Sequence, residues 1–185
     1  DKMKIFFHSR HLSLRQAIEA IDRESILYSL LLADRCLRSV DYRSAALALA
    51  ALNPHASDGG LFGDEEEKYL LPACRDAAAR GLNVSGPVPA DSVFAQALEG
   101  RFDAVLSLYH DQGHVAAKSH DFYRTVSVTF GYPFLRTSVD HGTALDIAWK
   151  GVANPVSMVE AVTACFELAP KYLSLIHISE PTRPY

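Results

Sequence analysis

Short apolar runs of strand length alternate along this chain with longer stretches whose apolar residues recur every three or four positions, and that alternation sets the expected order of elements. Residues 4–8 form a brief β-type run. Ser13 and Gln16 then stand at capping-box spacing ahead of Leu14, Ala17, Ile18 and Ile21, so a helix should begin there and His11 falls at a strand-to-helix junction. A second amphipathic helix is expected over 24–38, with Ile26, Leu27, Leu30, Leu31 and Leu37 on its buried face. Residues 45–52 are continuously apolar, the pattern of a strand covered on both faces of a parallel sheet, and they lead to Asn53-Pro54-His55. A glycine-rich turn over 58–63 precedes an acidic helix start at 64–67; that helix should close near Gly81, with Pro72 marking a kink or a restart. A short strand around Val84, a turn at Gly86-Pro87-Val88-Pro89 and a helix begun by Asp91 or Ser92 follow. Residues 104–108 read as the next buried strand, which ends at His110. Residues 125–130 alternate as a strand, Gly131-Tyr132-Pro133 turns, and 142–150 reads as a short helix. Asn154-Pro155 opens a final helix with Val156, Met158, Val159, Val162, Cys165, Phe166 and Leu168 on its apolar side. Strands alternating with helices predict an α/β fold, a parallel or mixed sheet flanked by helices. Ligands of such sheets bind outside the carboxyl ends of the strands, which is where His11, His55 and His110 all fall.

Length and composition narrow the field. With 185 residues, 49% hydrophobic and 22% charged, the chain can bury one sizeable core or form one lobe of a larger enzyme. A formal charge of -4 gives no bulk attraction to nucleic acid or to an anionic membrane, so any cations that hold an anionic substrate must be local. Neither partner is expected. Cys36, Cys74 and Cys165 have no CxxC spacing and read as core or helix-face thiols of a reducing compartment, with the cytoplasm as the expected location. No apolar run reaches the ~18 residues of a membrane span. The opening residues read as a strand met in mid-protein. Residues 174–185 depart from the helical pattern and read as a non-native tail, which leaves 1–173 as the folded portion.

The chemistry-bearing residues cluster in Tyr109-His110-Asp111-Gln112-Gly113-His114, in Lys118, and in Arg136-Thr137-Ser138-Val139-Asp140-His141-Gly142-Thr143. A histidine at a strand end more often bonds a backbone group than a metal. Three of them, His11, His55 and His110, at the same kind of junction point instead to a facial set on a divalent ion, Zn²⁺ first, with Mg²⁺ or Co²⁺ as alternatives. Such an ion would act as a Lewis acid on a hydroxyl and its neighbouring carboxylate. Asp111 could orient His110, shuttle a proton or cap the following helix. Lys118 and Arg136 are placed to hold an anion, against the plainer reading as solvated surface charges. His114 and His120 read as helix-face residues rather than ligands. Gly59, Gly60 and Gly63 do not form GxGxxG after a strand, and HExxH, GxSxG and P-loop motifs are absent.

Asn53-Pro54-His55 with Gly59-Gly60, Gly86-Pro87-Val88-Pro89-Ala90-Asp91, Tyr109-His110-Asp111-Gln112-Gly113 and Arg136-Thr137-Ser138-Val139-Asp140-His141-Gly142-Thr143-Ala144 together resemble the 4-hydroxythreonine-4-phosphate dehydrogenase family, over residues 4–170. The resemblance implies an isocitrate/isopropylmalate dehydrogenase-like fold that lacks its N-terminal half. It also implies a homodimer with shared active sites and NAD-dependent oxidation followed by loss of CO₂. His11, His55 and His110 match the family's metal ligands. Asp111 and Lys118 are the implied catalytic residues, and Lys118, Ser127 and Arg136 occupy substrate-binding positions. Ser127 replaces the family's asparagine and Ser13 a common proline; both resemble the branch acting on phosphorylated threonate or erythronate-type acids. His141, Gly142, Thr143, Ala144, Asp146 and Asn154 are similar to the adenine-side NAD loop, with Asp146 on the ribose. The rival expectations are a metal-dependent hydrolase or aldolase without nicotinamide, and an inactive truncated fragment.

Overall fold

A computed structural model of the chain describes residues 3–176, with side chains described as far as Tyr172. The chain divides into two compact units: one comprises Asp1–Arg38 with Tyr42–Ala117, the other Ser39–Asp41 with Lys118–Tyr185. No helix among the described residues is long and apolar enough to cross a membrane.

The first unit is built on four parallel strands: β1 (Ile5–Phe7), β2 (Leu47–Ala50), β3 (Val84–Val88) and β4 (Ala104–Ser107), in the order β1-β4-β2-β3. Register follows the apolar runs: Ile5 pairs with Val105 and Phe7 with Ser107, while Leu47 pairs with Ala104 on one side and Val84 on the other. Because β2 and β4 are central, both of their faces are covered, which explains why their sequences are apolar without alternation. Leu47, Leu49, Ala104 and Leu106 face a layer formed by α2 (Arg23–Arg38) and α3 (Leu71–Ala79), where Ile26, Leu30, Leu37 and Leu70 are buried. Ala48, Ala50 and Val105 face the other layer, with Val93, Phe94 and Ala97 of α4 (Ala90–Leu98) and Ala116 of α5 (His110–His120). Each fully buried Leu or Ile contributes about 1.5–3 kcal/mol, so the two layers supply the main drive to fold. The short α1 (Leu14–Glu19) starts at the expected capping box: Ser13 Oγ accepts the Gln16 amide at 3.3 Å, and the Gln16 side chain accepts the Ser13 amide at 3.2 Å. Pro72 marks a restart, since Glu66–Leu70 forms a π-helical segment and α3 begins at Leu71.

The first unit corrects one expectation. Gly86, Pro87 and Val88 do not turn but belong to β3. Proline lacks a ladder donor, and β3 is one of the two edge strands of the sheet, where that loss is tolerated. Gly86 is required by proximity, because a Cβ there would stand 2.8 Å from the Leu49 carbonyl oxygen. The helix that follows begins at Ala90, slightly before Asp91.

The second unit contains an antiparallel hairpin, β5 (Val126–Thr129) with β6 (Arg136–Val139), and the helix α6 (Val156–Ile176). The sequence reading did not include β6. Two expectations are corrected here. The short helix over 142–150 is only a single 3₁₀ turn, Leu145–Ile147, with Leu145 and Trp149 exposed; without a surface to bury those side chains, so short a segment gains too little to nucleate a helix. The apolar side chains expected on the inner face of α6, Met158, Val159, Val162 and Phe166, are exposed; Ser157, Ala161, Ala164 and Tyr172 are the buried ones. Small residues let the helix lie close to the hairpin, so that Thr137 Oγ1 reaches the Ala161 carbonyl at 2.9 Å and Tyr172 Oη donates to the Tyr132 carbonyl at 2.7 Å. Helix α6 runs to Ile176, past the expected boundary at Leu173, and the rest of the expected tail, 177–185, lies outside the described residues.

Candidate functional site

In the first unit the carboxyl ends of β1, β2 and β4 deliver the three candidate metal ligands to loops on one edge of the sheet. His11 follows β1 and precedes α1; it is exposed. His110 is the first residue of α5, reached directly after β4, and its side chain is 44% exposed. The two rings stand 6.2 Å apart between centroids. With a metal–nitrogen bond of about 2.1 Å and ~1.1 Å from nitrogen to ring centre, two imidazoles on one tetrahedral ion stand roughly 5.2 Å apart, and roughly 6.4 Å only when opposite each other across it. The observed spacing makes the two rings neighbours, about 1 Å wider apart than a tetrahedral pair of ligands. Asp111 Oδ1 lies 2.6 Å from His110 Nδ1, which leaves Nε2 as the nitrogen that faces a ligand, the arrangement by which outer carboxylates orient metal-binding histidines. Asp111 also stands in the first turn of α5, where a carboxylate complements the helix dipole. Arg10, Leu12, Leu14, Ala17, Tyr109, His110 and Asp111 line a cleft of about 190 Å³, the size of a small metabolite portion.

The strand ends are locked to one another. Gln112, in the first turn of α5, accepts the Leu108 amide at 2.7 Å and donates to the Ala51 carbonyl at 2.8 Å, tying the end of β4 to the end of β2. His114 stacks on Phe7 with centroids 4.5 Å apart and meets His110 at 4.3 Å, so it supports His110 from beneath, in keeping with its reading as a packed helix-face residue. His55 leaves the end of β2 on a left-handed turn and packs near Phe62, with ring centroids 6.4 Å apart. Among the described residues no three His, Cys, Asp or Glu side chains stand close enough to hold one ion. The chain brings His11 and His110 together and does not bring the expected trio together. Sequence reasoning singled out neither Gln112 nor the buried Glu66 described below; the signals were present, as the polar residue inside Tyr109-His110-Asp111-Gln112-Gly113 and as the acidic run at 64–67.

The second unit holds the remaining candidates. Lys118 Nζ donates to the Asp140 carbonyl at 2.9 Å and lies 3.5 Å from Asp140 Oδ2, so its ammonium is held in place. Arg136 opens β6 opposite Thr129, whose hydroxyl its guanidinium reaches at 3.4 Å; Ser127 pairs with Ser138 in the same hairpin. His141, Gly142, Thr143, Ala144 and Asp146 lie on an exposed segment, with His141 Nδ1 2.9 Å from the Gly142 carbonyl and Ala144 in the left-handed region at φ 49°. Asn154 Oδ1 accepts the Val156 amide at 2.9 Å, the helix-start role expected of Asn154-Pro155.

The likeness to known proteins follows the same lines. The chain is 55% identical over 170 residues to a protein of Halalkalibacterium halodurans provisionally named D-threonate 4-phosphate dehydrogenase, covering 92% of this chain and 50% of that one. A crystal structure of 4-hydroxythreonine-4-phosphate dehydrogenase from Klebsiella pneumoniae superposes with a TM-score of 0.82 at 44% identity, over 91% of this chain and 51% of that one. An isocitrate dehydrogenase from Methylococcus capsulatus, 17% identical, shares the fold with a TM-score of 0.55 over 85% of this chain and 46% of that one. The chain thus spans about half the length of the curated relatives it matches. The strand-end histidines, the α/β layers and a match over residues 1–165 to the model of the pyridoxal phosphate biosynthetic protein PdxA lead to one assignment: the chain belongs to the PdxA family.

Proposed function

We propose that the chain is part of an NAD- and divalent-metal-dependent dehydrogenase that oxidises and decarboxylates a 4-phosphorylated hydroxy acid, of the 4-phosphooxy-threonine or 4-phospho-threonate/erythronate type. The enzyme is cytoplasmic and works as a homodimer with shared active sites. The observation that carries the reading is the pairing of His11 and His110 at the ends of neighbouring parallel strands, with Asp111 on the far nitrogen of His110. His11, His55 and His110 are the metal donors, in a site that subunits share. An all-imidazole donor set suits Zn²⁺ or Co²⁺ better than Mg²⁺. When bound, such an ion supplies Lewis acidity toward the secondary alcohol, and the nicotinamide supplies a hydride acceptor.

The chain's own residues do the rest. Asp111 keeps His110 oriented and can exchange a proton at its exposed carboxylate. Lys118, fixed by Asp140, presents a cation to a carboxylate or phosphate oxygen and can return a proton to the carbon that loses CO₂. Arg136, exposed at the start of β6, and Ser127 offer a forked donor and a hydroxyl to the phosphate end. The segment 141–146 and Asn154 contribute to the adenosine side of NAD, with Asp146 on the ribose. The full-length protein mixed with NAD⁺, Co²⁺ and 4-phospho-D-threonate or 4-phospho-D-erythronate should release NADH and CO₂ in equal amounts. Cleavage or hydrolysis of the phospho-acid without NADH, or unchanged metal content after alanine replaces all three histidines, would refute the reading.

A further inference from the structure

The turn that carries His55 is the longest run of left-handed backbone among the described residues. His55, Ala56, Ser57 and Asp58 have φ of 54°, 53°, 67° and 45°, and Gly59 continues at 68°. Left-handed backbone is costly for residues that carry a Cβ, and a run of it persists only where the surroundings dictate it, most often at functional sites. Those surroundings converge on Glu66, whose side chain is buried. Its Oε1 accepts the amides of Leu52 at 2.9 Å and Asn53 at 2.7 Å, and its Oε2 accepts Asn53 Nδ2 at 2.8 Å. The Asn53 amide gives its second hydrogen to Glu65 Oε2 at 2.7 Å. Gly63 closes over these groups, since a Cβ there would stand 2.5 Å from Glu65 Oε2 and 2.7 Å from Asn53 Nδ2. At the other end of the turn, buried Ser57 takes the Gly60 amide on its hydroxyl and the Phe62 amide on its carbonyl. Glu66 itself opens the π-helical segment, a departure from α-helix that recurs at functional sites.

We propose that Glu66 is a positioning residue: its buried carboxylate clamps the entrance of the left-handed turn and so sets the direction in which His55 leaves β2. The consequence for metal binding rests on the reading of His55 as a donor; the claim about the turn does not. All three groups that face Glu66 are donors, so an acceptor on both oxygens is required. In Glu66→Gln one oxygen keeps the two backbone amides, but the new NH₂ meets Asn53 Nδ2, donor against donor. Flipping the Asn53 amide relieves that contact and sets its oxygen against the Glu65 carboxylate. Adding Glu65→Gln supplies a donor there, so the double replacement should restore what the single one breaks.

Two measurements on the purified full-length protein test this. Amide–Hα couplings and carbon shifts of Ala56 and Ser57 report the sign of φ without metal, and titration of the Co²⁺ visible spectrum reports affinity. Glu66→Ala and Glu66→Gln should move both residues toward negative φ and weaken Co²⁺ binding by about ten- to a hundredfold, and Glu65→Gln/Glu66→Gln should recover both. Leu30→Ala, deep in the core, should lower Tm and leave both signals unchanged. Left-handed couplings that survive in both single variants would overturn the proposal. Absence of Co²⁺ binding by the unmodified protein would instead remove His55 as a donor, and the couplings alone would still decide the role of Glu66. Should Glu66→Ala fail to fold, the two glutamine variants carry the comparison.

Discussion

Replacing Gly113 by alanine sets two effects of opposite sign against each other. Glycine inside a helix is about 1 kcal/mol less favourable than alanine, so helix propensity alone forecasts that Gly113→Ala stabilises α5. The packing forecasts the reverse. Gly113 is buried, and a Cβ at that position would stand 2.5 Å from Phe7 Cε1, 2.6 Å from Ser107 Oγ and 2.9 Å from Ile5 Cγ2. Each of these is roughly an ångström inside the ordinary carbon contact distance of ~3.5–4.0 Å. The contacts belong to β1 and its central neighbour β4, hydrogen-bonded strands that cannot yield without disturbing the sheet, so the helix must move outward. Overpacking of this kind costs about 1–3 kcal/mol, toward the upper end when several rigid neighbours are struck at once. Subtracting the propensity gain leaves a net loss of about 1–2 kcal/mol, a fall in Tm on the order of 4–10 °C for a unit of this size. Ser119→Ala, on the exposed side of the same helix, should stay within about 0.5 kcal/mol of the unmodified chain. Urea denaturation followed by circular dichroism measures both. The same displacement carries His110 further from His11, whose 6.2 Å separation is already wider than the roughly 5.2 Å of a tetrahedral pair of ligands, so Co²⁺ affinity should fall with stability. A Gly113→Ala protein as stable as the unmodified chain, or more so, would show that α5 does not press on the sheet as described.

Two further outcomes follow from buried titratable groups. Burial lowers the His8 pKa below its ordinary 6.5, against smaller opposing effects of the Ala20 carbonyl and Asp22, and the ring lies between Ser29 Oγ and the Ala20 carbonyl. The folded chain therefore holds His8 neutral while the unfolded chain takes up a proton near pH 6.5, so its contribution is intact above that pH and lost as pH falls toward the folded-state value. His8→Gln should flatten the dependence of the urea midpoint on pH in that window, and an unchanged slope would exclude His8 as its source. Burial also pushes the Cys36 thiol up to about 11 and the Cys74 thiol up to about 12, so both stay protonated and shielded in the folded chain. A disulfide reagent applied at about pH 8 should label the half-buried Cys165 first and reach the other two only on unfolding; equal labelling of all three in the native state would contradict the packing.

Most of the first unit was legible because its strands are buried on both faces and its helices are amphipathic, so hydrophobic pattern and structure report the same fact. Residues 45–52 read as a central strand because β2 is one, and Ser13 with Gln16 read as a cap because both hydrogen bonds form. The errors have a common cause. Gly86-Pro87-Val88 carries turn-forming residues, yet sheet position rather than local preference decided their state, since an edge strand tolerates what a central one does not. On α6 the apolar side chains were assigned to the inside, whereas close approach to the hairpin selected Ser157, Ala161 and Ala164 for being small. Hydrophobicity alone does not encode how near two elements must come. Residues 136–139 were read only for their chemistry, and a four-residue strand of mixed polarity has no pattern strong enough to show through it.

The candidate site divides along the same line between local and distant causes. Asp111 beside His110 was visible because the partners are adjacent in sequence and the hydrogen bond at 2.6 Å needs no folding to be proposed. Glu66 was not visible, because a run of acidic residues at 64–67 is ordinarily a solvated helix start, and nothing in that run separates the one carboxylate that turns inward. What does separate it is the backbone of β2. The Ala51 amide still pairs with the Val88 carbonyl at 2.8 Å, but the next two amides, Leu52 and Asn53, have left the ladder while remaining half-buried. Buried N–H groups must find acceptors, and a strand that ends in Asn-Pro-His cannot find them in a following helix, because proline and the left-handed turn deny it one. An acceptor from elsewhere in the chain is then obligatory. Two donors side by side on successive residues are best met by one carboxylate oxygen, which leaves the second oxygen to grip Asn53, so the strained turn and the inward acid follow from a single accounting of hydrogen bonds at the end of β2.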